Sequence, residues 1–437
     1  MMEYLANPLM LFLSVWGTTL ALYLAGVGAG IFSSPHALTV GVLLLNLVTF
    51  PLGYLTWTLL EGLTRWRLDL PRANAAPLTS RRLERALGFT FLMGMIVLLL
   101  TLYRVTLIAA DSGLGFWKLL TNPPLLRLKL VTFIELGVSH TSVMIMLIAV
   151  TNGLFAIGFI LLGVFLRVDA TARRYTYLLG FLLVALATSL MNLSRYDMTV
   201  SILWLILAYC MTGASAPDVE KRRTMRDLLL PAVVVAAIFV VVELLLHKGA
   251  TYGRADNLRG VLFSFYWYLA SPIAALDQFL ADFQGDYTLG EKTLFPFFKW
   301  LHRLHLIGQP SISVYGEFVY VPFPANVYTY LRAIYEDFGI LGVAIVPYLL
   351  GGGIAAIRSR ARRYFPYLNL YLILLLLILF SFYNYTLISS QVYLQILFGF
   401  ILFRYRMEPD SPFSSSTPWD RIDPSPAEAY KEVSERN

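Results

Sequence analysis

Apolar residues in this chain gather in long uninterrupted runs, not in the short alternations of half-buried strands or surface helices. Ten runs approach the roughly 20 residues that a helix needs to cross a hydrocarbon core: 8–27, 37–60, 89–110, 141–166, 175–193, 199–214, 228–246, 338–357, 368–385 and 391–403. They predict an all-α polytopic membrane protein with about ten transmembrane helices, and ten to twelve if borderline runs are included. The first run follows an N-terminus without a positive stretch, and no small-residue cleavage site follows it. It reads as a retained anchor and not a removed signal peptide.

The polar connections orient these spans. Arg65, Arg67, Arg72, Arg81, Arg82 and Arg85 fill the second connection, Arg167, Arg173 and Arg174 the fourth. Lys221, Arg222, Arg223 and Arg226 fill the sixth, and Arg358, Arg360, Arg362 and Arg363 the eighth. With both termini cytoplasmic, all four clusters fall on the cytoplasmic side, as the positive-inside rule requires. The run 260–276 breaks this pattern if it crosses. Its aromatic crowd (Phe263, Phe265, Tyr266, Trp267, Tyr268) and Pro272 suit an interfacial or re-entrant helix better. The expected organisation is an integral membrane domain over 1–404 that contains one large periplasmic or extracellular loop over 247–328. A cytoplasmic tail over 405–437, rich in Ser, Pro and Asp, is expected to be disordered.

Composition agrees with the spans: 58% of residues are hydrophobic and 14% charged, against about a quarter charged in soluble domains. The net charge of +7 does not point to nucleic acid, because the basic residues sit in short runs between spans. Cys210 is the single cysteine and lies in an apolar run, which excludes disulfides within the chain and thiolate metal sites.

Charge at membrane depth is costly and needs a partner or a task. Arg104 and Glu243 fall near the outer ends of the third and seventh spans, and Arg195 lies in a short outer turn. Arg332, Glu336 and Asp337 occupy a helical stretch just before the eighth span, where Arg332 and Glu336, four apart, can form a local ion pair. Several outer arginines converging there would instead make a site for a polyanion such as a pyrophosphate. His302 and His305 stand three apart, but no cysteine or His-Glu-x-x-His pattern accompanies them, and no metal or other cofactor is expected. Walker-type, Gly-x-Ser-x-Gly and Asp-x-Asp patterns are absent, and Gly351-Gly352-Gly353 reads as close helix packing.

The string Pro324-Ala325-Asn326-Val327-Tyr328-Thr329-Tyr330-Leu331-Arg332, followed by Tyr335-Glu336-Asp337-Phe338-Gly339 and Gly342, resembles a hallmark of the bacterial Wzy-type O-antigen polymerases, the oligosaccharide repeat-unit polymerases. The segment Tyr268 to Asp277 is similar to the one preceding that motif, and Ser194-Arg195 resembles an arginine-containing turn shared with O-antigen ligases. The likeness covers about residues 194–342.

The resemblance implies a membrane-embedded glycosyltransferase of the lipid-linked-donor (GT-C) type. Such an enzyme moves a growing glycan from undecaprenyl pyrophosphate onto the next lipid-linked repeat unit at the outer face of the inner membrane, so its partners are that substrate and membrane lipid. A polysaccharide chain-length regulator is a further expected partner. On this reading Arg195, Arg254, Arg259 and Arg332 bind pyrophosphate, with Arg104 and Arg127 as lesser candidates. Asn326, Tyr328 and Thr329 position donor or acceptor. Asp337, Glu336, Asp277 and His302 are candidates for the general base, and Asp337 is equally suited to a structural role. An O-antigen ligase and a flippase for the lipid-linked unit are the rival readings.

Overall fold

The computed structural model describes residues 7–64, 76–122, 125–126, 129–130, 139–168, 173–192, 195–213, 233, 258–308 and 319–407. Among them the chain is mostly helical. In order come α1 (Pro8–Gly28), α2 (Ala37–Thr64), α3 (Ser80–Asp111), the short α4 (Phe116–Leu120), α5 (Ser139–Val168), α6 (Arg173–Asn192) and α7 (Arg195–Gly213). After residues outside the described set come α8 (Leu258–Asp282), α9 (Phe295–Arg303), α10 (Leu331–Ala361), α11 (Phe365–Phe380) and α12 (Ser390–Ile401). Two two-residue pairings complete the list: β1 (Ala76–Pro77) runs parallel to β4 (Tyr405–Arg406), and β2 (Val319–Tyr320) antiparallel to β3 (Pro324–Ala325).

Six of these helices are long and apolar enough to span a bilayer: α1, α2, α3, α5, α6 and α10. They match six of the ten expected runs. Three more runs form shorter apolar helices, α7, α11 and α12. At 16 residues, α11 extends only about 24 Å against a hydrocarbon core of about 30 Å. It ends at Phe380, and the chain continues through a bent segment and a 3-10 turn, Thr386–Ile388, before α12. The expected seventh span, 228–246, lies outside the described residues apart from Val233, and Arg127, Glu243, Arg254 and Lys221 to Arg226 lie outside them too.

Basic connections share one end of the bundle. Arg173 faces Glu84 at 3.8 Å, Ser359 donates to Glu61 at 3.1 Å, and Met407 N–H donates to Arg363 O at 2.9 Å. The β1–β4 pairing ties the 76–77 segment to 405–406 at the same end. The chain therefore stays bonded through Met407, the third residue of the stretch expected as tail; residues 408–437 are outside the described set.

α2 and α10 run parallel in very close approach. A Cβ on Gly53 would lie 2.0 Å from Tyr348 O, and one on Gly351 would lie 2.2 Å from Phe50 O. Of the glycine triplet, Gly351 therefore sits at the crossing, whereas Gly353 meets nothing within 4 Å. Farther along the same pair, Arg358 donates to the Tyr54 hydroxyl at 2.7 Å.

α8 is not among the long span candidates and packs across the opposite end of the bundle, against α1 and the α1–α2 connection. The Tyr266 hydroxyl fits over Gly26 and donates to Leu22 O at 3.3 Å, and burial raises that phenol above its usual range. Trp267 is buried against Phe32 and Phe323. The aromatic cluster that suggested an interfacial helix thus packs largely against protein.

Candidate active site

Asp277, near the C-terminal end of α8, is buried (3% exposed) and serves α2. Its carboxylate accepts the His36 main-chain N–H at 2.8 Å, faces His36 Nδ1 at 3.0 Å and accepts the Thr39 hydroxyl at 2.6 Å. A helix N-terminus exposes unpaired N–H groups and positive dipole, which a carboxylate satisfies. Here the capping residue comes from 241 positions along the chain. Asp277 therefore locks α8 to the start of α2.

Downstream of α8 the chain turns back through Gly285 and Gly290, both with positive φ, and reaches the first part of α10. That helix is broken at Gly339, where φ is +62° and ψ −150°, a backbone region essentially closed to residues with a Cβ. A Cβ there would also press on the Tyr287 ring at 3.0 Å. Residues 331–338 thus form a short helix with its own C-terminus, and the spanning part follows. The break deprives carbonyls of their helical donors, and the 288–293 turn supplies substitutes. Thr288 N–H donates to Glu336 O at 3.1 Å and Leu289 N–H to Asp337 O at 3.3 Å. The Asp337 side chain completes the clasp: it accepts the Thr288 hydroxyl, Lys292 N–H at 3.0 Å and Thr293 N–H at 2.6 Å, and is fully buried. Asp337 thus has a structural role: it fastens the loop to the helix break.

One face of the short helix carries the charges. Glu336 is shared by two cations, Lys292 Nζ at 3.0 Å and Arg332 Nε at 3.7 Å, and all three side chains are less than a fifth exposed. The expected i,i+4 pair between Arg332 and Glu336 is present, but Lys292, which sequence spacing does not reveal, makes the closer contact. The Arg332 guanidinium lies over the Tyr328 ring, 3.9 Å from its centroid, and 4.8 Å from that of Phe279. Arg332 Nη1 is buried with no hydrogen-bond partner among the described residues, and the same holds for the hydroxyl of Thr329. Arg332 therefore carries a desolvated cationic donor whose hydrogen-bonding capacity is unmet among the described residues. Phe283 packs edge-on to Tyr335 at 5.5 Å and extends the aromatic wall.

The hallmark string reaches this place through a buried anchor. Ala325, Tyr328, Thr329 and Tyr330 are buried, so the chain has entered the bundle before residue 328. Tyr330 N–H donates to Ser381 O at 2.8 Å, and its hydroxyl donates to Asn46 in α2 at 2.6 Å. Trp16 of α1 donates to the Ser381 hydroxyl at 2.9 Å. Four segments are thereby fixed around the start of α10, and burial raises the Tyr330 phenol. Asn326 is half-buried on the approach.

Other expected residues fall elsewhere or beyond view. Arg195 opens α7, but its side chain and that of Arg259 lie outside the described set, as does all of Arg254. Arg104 donates to Asn192 at the end of α6. His302 lies on α9 with Nδ1 3.4 Å from Ile307 O. The helix ends at Arg303, and His305 follows in left-handed backbone (φ +58°), so the two histidines do not share a helical face.

A second feature escaped the sequence reading. α5, α6, α7, the 3-10 turn and α12 line a partly open cavity with Asn152, Thr188, Asn192, Ser201, Trp204 and Gln391 among its walls. Thr188 and Asn192 on α6, and Asp197, Ser201 and Trp204 on α7, recur at helical spacing, but their meeting with Asn152 of α5 and Gln391 of α12 comes from helix packing. Comparison with models of known protein families, with curated protein sequences and with solved structures gave no match, so the candidate site rests on the chemistry of its own residues.

Proposed function

We propose that this protein is a membrane glycosyltransferase that polymerises oligosaccharide repeat units carried on undecaprenyl pyrophosphate. The observation that carries the proposal is Arg332: a guanidinium laid on Tyr328, with one buried donor nitrogen still without an acceptor, in the string that resembles the repeat-unit polymerases. A pyrophosphate leaving group needs charge stabilisation where water is partly excluded, and an arginine held in an apolar setting supplies it.

In this reading, an acceptor hydroxyl oxygen attacks the anomeric carbon of the donor glycan. The new glycosidic C–O bond forms as the bond from that carbon to the pyrophosphate oxygen breaks. Undecaprenyl pyrophosphate departs as an anion, and the hydroxyl proton passes to a base. Arg332 and Lys292 face the leaving group. Pyrophosphate competes with Glu336 for these two cations, and its arrival frees the Glu336 carboxylate to act as the base. Asp337 and Asp277, filled by main-chain N–H donors, are positioning residues. The Thr329 hydroxyl is oriented toward substrate, and Arg195, Arg254 and Arg259 complete the anion site. The site faces the periplasm in the inner membrane, with the basic end of the bundle in the cytoplasm, and a chain-length regulator acts beside it.

Purified protein in detergent, supplied with lipid-linked repeat units alone, is the test. A ladder of products on a gel is the expected result. Dependence on a lipid A-core acceptor would indicate a ligase instead. Unchanged sugar–lipid bonds would indicate transport and overturn the proposal.

A further inference from the structure

The cavity between α5, α6, α7 and α12 differs in chemistry from the Arg332 site. Among the described residues no lysine or arginine lines it, and Asp197 is the one charged wall residue. The remainder combines amides from Asn152, Asn192 and Gln391, hydroxyls such as Thr188 and Ser201, and aromatic surface from Tyr196 and Trp204 with apolar wall from Phe155, Ala156, Ala185, Val200 and Val392. Neutral groups of this kind are expensive to gather inside an apolar bundle unless something bonds them. Trp204 gives the sharpest sign. It is 2% exposed, and its indole N–H has no hydrogen-bond partner among the described residues while its side chain lines the cavity.

Among the described residues of this wall an anion meets no cation directly, Arg104 being engaged from behind by Asn192. An aliphatic chain leaves the Trp204 N–H unpaired, whereas the Thr188 and Ser201 hydroxyls already donate to Val184 O and Asp197 O. An uncharged polyhydroxylated ring satisfies both its amide and its aromatic parts. We propose that this cavity is a saccharide-binding subsite, separate from the cation site at Arg332. It connects to that site through the segment after α11. Tyr196 packs edge-on to Phe380 at 5.3 Å, and Ser381, the next residue, accepts the N–H of Tyr330. A glycan whose pyrophosphate lies at Arg332 thereby has a neutral pocket on the other side of one chain segment. The assignment of the occupant as a repeat-unit sugar rests on the polymerase reading; the binding chemistry does not.

The test places the photoreactive residue p-benzoylphenylalanine at Ser201, which lines the cavity, and for control at Leu190, which is 37% exposed on α6 next to the buried Ser189. Full-length protein is irradiated in native membranes whose lipid-linked repeat units carry tritiated sugar. The expected result is labelling at Ser201 several-fold above Leu190. The label should survive mild acid, which cuts the sugar from its pyrophosphate and removes the lipid. Equal labelling at both positions, or label lost with the lipid, overturns the proposal. Trp204→Phe keeps the ring, removes the donor and should weaken labelling about two- to tenfold at unchanged melting temperature; unchanged labelling counts against the site. Should the Ser201 photoprobe not fold, Ser201→Cys serves, because the native Cys210 is buried. Polar thiol reagents should modify it, and a methyl glycoside panel should protect it; absence of protection by every glycoside overturns the proposal. Sugar labelling without polymer in the reconstituted assay would keep the subsite and remove the polymerase reading, and polymer without labelling would do the reverse.

Discussion

The Thr293 main-chain N–H stands 2.6 Å from the carboxylate of Asp337, two residues before a helix break. One buried side chain thus fastens the 288–293 turn to the point where α10 changes from a short charged helix to a long apolar one. This geometry links the Asp-Phe-Gly string to mechanics: the carboxylate holds the turn, and the glycine permits the break.

Asp337→Ala should release the N–H groups of Lys292 and Thr293 in a buried setting, at about 1–3 kcal/mol for each unsatisfied group. The expected outcome is a clear drop in melting temperature in detergent together with loss of polymer. Asp337→Asn keeps one acceptor oxygen and should fall between Ala and wild type. An Asp337→Ala protein that melts like wild type would refute the clasp.

Gly339→Ala forces a Cβ into a backbone region that costs about 1–3 kcal/mol for residues other than glycine. It also pushes the methyl toward Tyr287. Thermal unfolding should show the destabilisation, and protease sensitivity should rise within the 288–293 turn. A variant as stable and as protected as wild type would mean that the break is not needed.

For Arg332 the substitutions separate charge from shape. Arg332→Lys retains the positive charge but not the planar guanidinium stacked over Tyr328, a contact of about 0.5–2 kcal/mol. Polymer should be lost in Arg332→Ala and reduced in Arg332→Lys, while both proteins insert and purify normally. Full-length ladders from Arg332→Ala would remove the pyrophosphate assignment.

The α2–α10 crossing makes a paired prediction. Gly53→Val places side-chain atoms where Tyr348 O already stands and should abolish the folded protein, since overpacking at a backbone contact costs about 1–3 kcal/mol or more. Gly353→Ala meets open space and should leave yield and melting temperature unchanged. Size-exclusion profiles of both variants decide this, and equal behaviour would contradict the packing.

Hydropathy alone determined that this is a multi-pass helical membrane protein, because the cost of exposing backbone and charge to hydrocarbon is imposed on each segment locally. It located six long spans closely, grouped the basic residues of the described connections on one end, and placed Arg332 and Glu336 on one helical face. Tertiary structure decided what lies far apart in sequence. The cap from Asp277 to His36, the capture of Asp337 by the 288–293 turn and the pairing of Lys292 with Glu336 join residues tens to hundreds of positions apart. Short apolar helices such as α11 also escape a length rule, since their ends are satisfied by neighbouring segments instead of by crossing the full bilayer. The cavity was invisible for the same reason: its polar residues come from α5, α6, α7 and α12, and only helix packing turns them toward a common space.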